Sequence, residues 1–268
     1  MKRAQGVCMP VICLHNKKTI EGFLRKNTGL HIYSLGDLDD FFWPYTTWYA
    51  LTSNNTLQAI ALLYTGLSLP TLLALSEHPT VMSDLLETVV PILPGKFYAH
   101  LSPDLERVFQ EGYELEPHGE HYKMALKDSS AIKSVDCLPV IRLSGSDLKD
   151  ITNLFEESYP GNWFDSRMLE TNQYFGIRQD EKLVSIAGVH VYSKTYRVAA
   201  LGNITTHPAW RNKGYGRLVT ARLCQSLSEN IDCIGLNVKT DNHNAISCYK
   251  RLGFEIIASF GEFLVRRR

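Results

Sequence analysis

Arg211-Asn212-Lys213-Gly214-Tyr215-Gly216-Arg217 joins a strand-like run, Val198 to Thr206, to a helix-like run, Leu218 to Leu227. A strand, a tight glycine-bearing loop and a helix N-terminus together make a site for a phosphate anion. Glycine lets the backbone approach a ligand closely, and the unpaired N–H groups and dipole of the first helical turn favour negative charge. Arg211, Lys213 and Arg217 add counter-charge.

The string by itself is weak, because an Arg/Gln-x-x-Gly-x-Gly pattern arises by chance in about one chain in eight of this length. A second string changes the odds. Asn242, Ala245, Tyr249, Gly253 and Phe254 follow a further strand-like run, Ile234 to Val238, with the spacing N-x2-A-x3-Y-x3-G-F. Together the two strings resemble the acyl-CoA-binding motifs of the GNAT superfamily of N-acyltransferases, over about residues 139 to 265.

That resemblance implies an α/β fold with a mixed central sheet and helices on both faces. It implies acetyl-CoA as cosubstrate and no metal. Ile204, Thr205 and Thr206 would hydrogen-bond the pantetheine arm through the backbone, and Arg211, Asn212, Lys213, Gly214, Tyr215, Gly216 and Arg217 would wrap the pyrophosphate. Asn242 would touch the cofactor from the next helix, a role compatible with capping that helix. Tyr249 lies seven residues further, nearly two turns or about 10 Å along the same face. A phenol stays protonated at neutral pH while a thiol leaves as thiolate, so Tyr249 suits proton donation to the departing CoA sulfur.

The amine must lose a proton before it attacks. The resemblance would place a carboxylate base at Ala200 or Asn237, and neither residue can take a proton. His190 is the substitute base, with a water chain oriented by Asn203 and Asn237 as the other route. The loop Tyr159-Pro160-Gly161-Asn162-Trp163-Phe164 would line the acceptor site, where Tyr159 or Trp163 could stack on a cationic or aromatic substrate or simply close the lobe interface.

The remaining sequence narrows the class. The 268 residues carry 28 basic and 28 acidic side chains, so nothing electrostatic points to nucleic acid or an anionic membrane. Six cysteines (Cys8, Cys13, Cys137, Cys224, Cys233, Cys248) form no CxxC pair and read as reduced thiols of a cytoplasmic protein. Lys2 and Arg3 precede an apolar patch that His15, Lys17 and Lys18 interrupt, so no signal segment or membrane span is expected. His118 and His121 read as solvated histidines of a Gly/Pro turn rather than a metal pair.

Along the chain, strands are expected at Pro139–Leu143, Tyr174–Arg178, Leu183–Val191, Val198–Thr206 and Ile234–Val238. Helices are expected at Asp147–Ser158, Ser166–Glu170, from Leu218 and from Asn244. The first half repeats part of this: strands at Thr56–Tyr64, Pro70–Ser76 and Phe97–Leu101, helices at Thr80–Ile92 and Pro103–Glu111, and Gly112-Tyr113-Glu114-Leu115 matching Gly253-Phe254-Glu255-Ile256. This predicts an internal duplication. A degenerate GNAT-like lobe, residues 1–132, would lack the glycine loop, and a catalytic lobe would span 133–268, a layout similar to glycine N-acyltransferase-like proteins. The expected activity is acetyl transfer to a small-molecule primary amine in a ternary complex. A protein or peptide N-acetyltransferase and a non-catalytic acyl-CoA sensor are the alternatives.

Overall fold

The computed structural model describes residues 10–268, which divide into two units: residues up to His121 with Ser259–Arg268, and Tyr122–Ala258. Lys2, Arg3 and Cys8 lie outside the described residues. The expected division at 132/133 therefore differs from the observed one at both ends. The segment expected to be a linker holds a short helix, α4 (Ser130–Lys133), and Ile132 is buried in the second unit. Gln225 Nε2 latches it there by donating to the carbonyls of Ile132 (3.0 Å) and Val135 (3.1 Å).

The first unit contains β1 (Val11–Leu14), α1 (Lys17–Leu24), α2 (Ile32–Gly36), β2 (Thr46–Ser53), β3 (Thr56–Tyr64), β4 (Thr71–Ala74), α3 (Pro79–Val89) and β5 (Lys96–Leu101). β1 to β4 pair antiparallel in succession, and β4 runs parallel to β5. Alternate residues of β2 and β3 (Tyr49, Leu51, Ala59, Ala61, Leu63) bury one face against Met82, Leu85, Leu86 and Val89 of α3, as period-two and period-3.6 patterns require. The expected helix at Pro103–Glu111 is only a 3₁₀ segment, Leu105–Phe109, whose Phe109 is buried. β6 (Tyr113–Leu126) replaces the expected turn around Pro117. His121 is accordingly no solvated turn residue: it is buried, stacked on Phe260 at 5.4 Å, with Nε2 3.7 Å from Glu262.

The second unit repeats the order. β7 (Ile141–Arg142), α5 (Leu148–Ser158), β8 (Phe175–Gln179), β9 (Lys182–Ser193), β10 (Val198–Thr206), α6 (Tyr215–Leu227), β11 (Cys233–Lys239) and α7 (His243–Arg251) precede β12 (Phe254–Arg267). β7 to β10 pair antiparallel in succession, and β10 runs parallel to β11. Each sign of pairing matches β1 to β5, which is the duplication in backbone form. The expected strand at Pro139–Leu143 shrinks to two residues, and Ser166–Thr171 is 3₁₀ rather than α.

α5 and α6 both pack on β9 and β10. Arg222 of α6 lies over Phe175, whereas its neighbour Tyr174 meets Phe164, which packs on Phe155 of α5. Consecutive extended residues face opposite ways, so the two helices cover opposite faces. Among the described residues no helix is long and apolar enough to cross a membrane.

Candidate active site

β10 and β11 pair from Val198↔Cys233 to Leu201↔Leu236, and the ladder stops there although the strands run on to Thr206 and Lys239. The cause lies in β10. Its register against β9 breaks between Gly202 and Thr205, where Asn203 takes φ 53°, a left-handed backbone that asparagine tolerates better than most residues. The bulge turns β10 away from β11 while Thr205 and Thr206 stay paired with Ile186 and Ser185 of β9. The Ser185 and Thr206 hydroxyls are 2.8 Å apart. From Gly202 onward the edge of β10 towards β11 has no ladder partner among the described residues, which is an opening for an extended ligand to add itself as a strand.

At the end of that edge the chain enters α6. His207 N bonds the Val184 carbonyl (2.9 Å), and Arg211 Nε donates to the Thr206 carbonyl (3.1 Å), so the loop is tied back to the strand that feeds it. Asn212 (φ 63°) and Gly214 (φ 82°) are both left-handed, and Gly214 occupies the N-cap position with no side chain over the first turn. A Cβ at Gly216 would sit 3.5 Å from Thr206 Oγ1, so the helix starts close against the strand end. Lys213 Nζ stands 4.1 Å over the Trp210 ring, which stacks on Tyr215 at 6.2 Å. The first turn of α6 holds no acidic side chain. An anion would therefore meet open N–H groups and the cations of Arg211, Lys213 and Arg217.

Residues 148–254 match the model of the acetyltransferase (GNAT) family. This part of the chain is a GNAT domain. An uncharacterized protein of Mycobacterium leprae (strain TN) is 33% identical over 107 residues, 38% of this chain and 28% of that protein, so the match spans less than a third of the relative's length. Among solved structures, a Drosophila melanogaster protein superposes with a TM-score of 0.69 at 11% identity, covering 96% of this chain and 98% of that one. A tandem GNAT protein from the clavulanic acid biosynthesis pathway gives 0.56 at 14%, covering 97% and 98%. A GNAT-family acetyltransferase of Colwellia psychrerythraea gives 0.55 at 13%, covering 95% and 99%. These likenesses extend over both units and concern the fold.

Within the GNAT domain, Asn242 caps α7, its side chain accepting from Ala245 N at 3.2 Å. Tyr249 follows on that helix, buried against Phe254 (6.0 Å), and its hydroxyl makes no hydrogen bond among the described residues. Burial above all, then the neighbouring Cys248, Tyr159 and Cys224, pushes the Tyr249 phenol well above its ordinary range, so it is a neutral donor at any physiological pH. Tyr159 is thus brought near Tyr249, although the residue is 42% exposed. Burial likewise pushes the thiols of Cys137, Cys224 and Cys248 upward, which disfavours their thiolate forms.

The three candidates for handling the amine proton are placed differently. His190 sits at an irregularity of β9, its ring lying on Gly202: a Cβ there would come within 2.3 Å of the imidazole. It thus stands beside the first residue of the fork. Asn203 is buried, with Nδ2 donating to Tyr174 Oη at 2.9 Å. Asn237 is half-buried and accepts a hydrogen bond from Lys123 Nζ at 3.3 Å. Ala200, fully buried and paired with Val191 and Gly235, belongs to the core. The loop after α5 is knitted by Asn162, which bonds Tyr159 O (2.8 Å) and Phe164 N (2.9 Å), and it borders a cleft of about 340 Å³ lined by Phe155, Glu156, Pro160 and Phe164. Trp163 is exposed and does not line that cleft.

Sequence reasoning missed Lys123 and Tyr174. Lys123 is buried in β6, a strand that runs through the expected turn around Pro117. Tyr174 occupies the space left by Gly188, where a Cβ would fall 2.1 Å from its ring. The Tyr174–Gly188 pairing is a signal in principle, but it is legible only once β8 and β9 are known to be neighbours.

Proposed function

We propose that the chain is an acetyl-CoA-dependent N-acetyltransferase acting on a primary amine of a small molecule by direct attack in a ternary complex. The observation that carries the reading is the fork of β10 and β11 ending on the glycine-capped start of α6, with the neutral Tyr249 phenol on the next helix. Pantetheine would lie along the open edge at Ile204, Thr205 and Thr206, and the pyrophosphate on residues 211–217. The amine lone pair attacks the thioester carbon, the C–S bond breaks, and Tyr249 supplies the proton that the sulfur takes. The amine proton leaves to His190 or through water. No acyl-enzyme is needed, because a bound amine can attack the thioester directly.

One observation favours a second reading. With Ala200 in the core and Asn237 bound to Lys123, no carboxylate base stands at either expected position, which suits a non-catalytic acyl-CoA sensor. Release of CoA thiol from acetyl-CoA in the presence of primary amines separates the two. Turnover of any amine excludes the sensor, and tight binding of acetyl-CoA with no turnover across a broad amine panel excludes the enzyme.

A further inference from the structure

Asn237 is aimed by its neighbour. An ammonium only donates, so the Asn237 atom 3.3 Å from Lys123 Nζ is Oδ1, and Nδ2 is turned the other way. β6, which carries Lys123, and β10 flank β11 on opposite sides, so the direction away from Lys123 lies over the gap between β11 and β10. The contact with Lys123 is the only hydrogen bond of this side chain among the described residues, which leaves the Nδ2 hydrogens to a ligand or to water.

The gap at that point is the fork. Leu201↔Leu236 is the last pair, so Gly202 and Asn237 are the first residues past the apex on their two strands. Ala200 and Gly235 pair one step before it, and residues two apart on a strand face the same way, so Gly202 and Asn237 share one face of the sheet. The His190 imidazole lies on that face, 2.3 Å from where a Cβ of Gly202 would stand. An amide N–H donor and an imidazole thus meet the apex from the same face, one from β11 and the other from β9. Asn203 offers no second donor, because it spends its Nδ2 on Tyr174 Oη (2.9 Å) and Met168 Sδ (3.5 Å).

A thioester would reach this apex. The pantetheine arm runs about a dozen bonds from phosphate to sulfur, and an extended chain advances about 1.2 Å per bond, which makes about 15 Å. That is four to five strand residues at about 3.3 Å each. With the pyrophosphate on the start of α6, which abuts the end of β10 at Thr206, the count runs back to Gly202 or Leu201.

We propose that Asn237 is the oxyanion donor of the acyl transfer, and that Lys123 is the positioning residue that turns its amide towards the fork. As the amine lone pair attacks the thioester carbon, the carbonyl pair moves onto oxygen, and Asn237 Nδ2–H donates to that oxygen. The pair then returns, the C–S bond breaks, and the sulfur takes its proton from Tyr249. A donor fixed before charge develops needs no reorganisation when it does. An amide in place of the expected carboxylate is thereby a gain: asparagine is the neutral isostere of aspartate that can donate. The inference rests on the N-acetyltransferase reading and adds the group that holds the developing charge, which neither His190 nor Tyr249 supplies.

The test reads the full chain in two ways: CoA thiol release with ethylamine, phenethylamine, histamine and cadaverine, and the infrared carbonyl band of bound, carbonyl-labelled acetyl-CoA. Asn237→Leu should lower kcat about 10²-fold, leave the Kd for acetyl-CoA close to wild type, and move the band to higher frequency as the oxygen loses its donor. If the leucine variant does not fold, Asn237→Asp, which keeps an oxygen for Lys123 and has no N–H, should show the same fall and the same shift. Lys123→Met should lower kcat by a smaller factor, and Lys123→Arg, which keeps a donor towards Oδ1, should recover most of the loss. An unchanged kcat or an unmoved band in the Asn237 variants would overturn the proposal, as would a loss confined to KM for the amine. Full kcat in Lys123→Met would overturn the positioning role. If wild type turns over none of the four amines while still binding acetyl-CoA, the parent reading fails, and this inference with it.

Discussion

Two strand pairs of the same sign, β4 with β5 and β10 with β11, end in opposite ways. β4 and β5 pair to their last residues, Ala74↔Leu101, and the ends are then stitched together. Ser102 N donates to Ala74 O (3.1 Å), Ser76 N to Ser102 Oγ (2.9 Å), and Ser102 Oγ to Ser76 O (3.2 Å). β10 and β11 instead part at Leu201↔Leu236, because Asn203 bulges. The helices that follow differ in step. α6 starts on a left-handed glycine, whereas α3 starts with Pro79, which has no N–H to offer an anion. A duplicated architecture thus leaves an open strand edge in one copy and stitches the equivalent strand ends together in the other.

The largest effect should come from the loop that only the second unit has. Acetyl-CoA titrated calorimetrically into the full chain should give one site, and Gly214→Glu should weaken it at least a hundredfold. A non-glycine residue is strained at φ 82°, and the added carboxylate would oppose the pyrophosphate. Two sites, or an unchanged Kd in the variant, would erase the contrast.

Next in size is Tyr249→Phe, expected to lower kcat by about 10- to 100-fold with the Kd for acetyl-CoA unchanged, since only a proton donor is lost. Because the folded environment holds this phenol above its ordinary value of 10.0, its deprotonation cannot produce a falling limb in kcat between neutrality and that pH. A falling limb in that interval that disappears in the variant would contradict the placement. Full kcat with weaker acetyl-CoA binding would make Tyr249 a packing residue.

What could be read in the sequence follows from what periodicity encodes. β3 and β10 occupy the expected residues because each is a sustained apolar run bounded by turn residues, and α5 was visible from Leu148, Ile151, Leu154 and Phe155. β2, α1 and β1 were not, since Trp43-Pro44-Tyr45-Thr46 and Lys17-Lys18-Thr19 carry no clear period. Long β6 was hidden by Pro117 and Gly119, residues that usually mark turns. The glycine loop and the Asn/Tyr helix were legible because backbone chemistry demands those residue types. The polarity of Asn203 and Asn237 was not, because it is set by Tyr174 and Lys123, which are distant in sequence.

A smaller effect separates two roles of one residue. Asn242→Ala removes the cap on Ala245 N and should cost about 1 kcal/mol, or about 2–4 °C in Tm. Asn242→Ser keeps a capping oxygen and should restore most of that loss. If acetyl-CoA binding stays weak in the serine variant while Tm recovers, Asn242 contacts the cofactor as well as capping. Recovery of both would leave it a cap alone.

The smallest expected change concerns the stitch that closes the first copy. Ser102 is buried, and its hydroxyl serves both the N–H and the carbonyl of Ser76. Ser102→Ala would leave those two groups to find water at the partly exposed Ser76, so the loss should be modest, about 0.5–1 kcal/mol. Its value lies in the stoichiometry measured alongside. Opening the ends of β4 and β5 restores neither a glycine at the start of α3 nor the N–H that Pro79 lacks, and the residues between Ala74 and Pro79 carry no lysine or arginine. Calorimetry on Ser102→Ala should therefore still give one acetyl-CoA per chain. A second site appearing in this variant would mean that the first copy is only latched shut, and that its lost loop matters less than one serine.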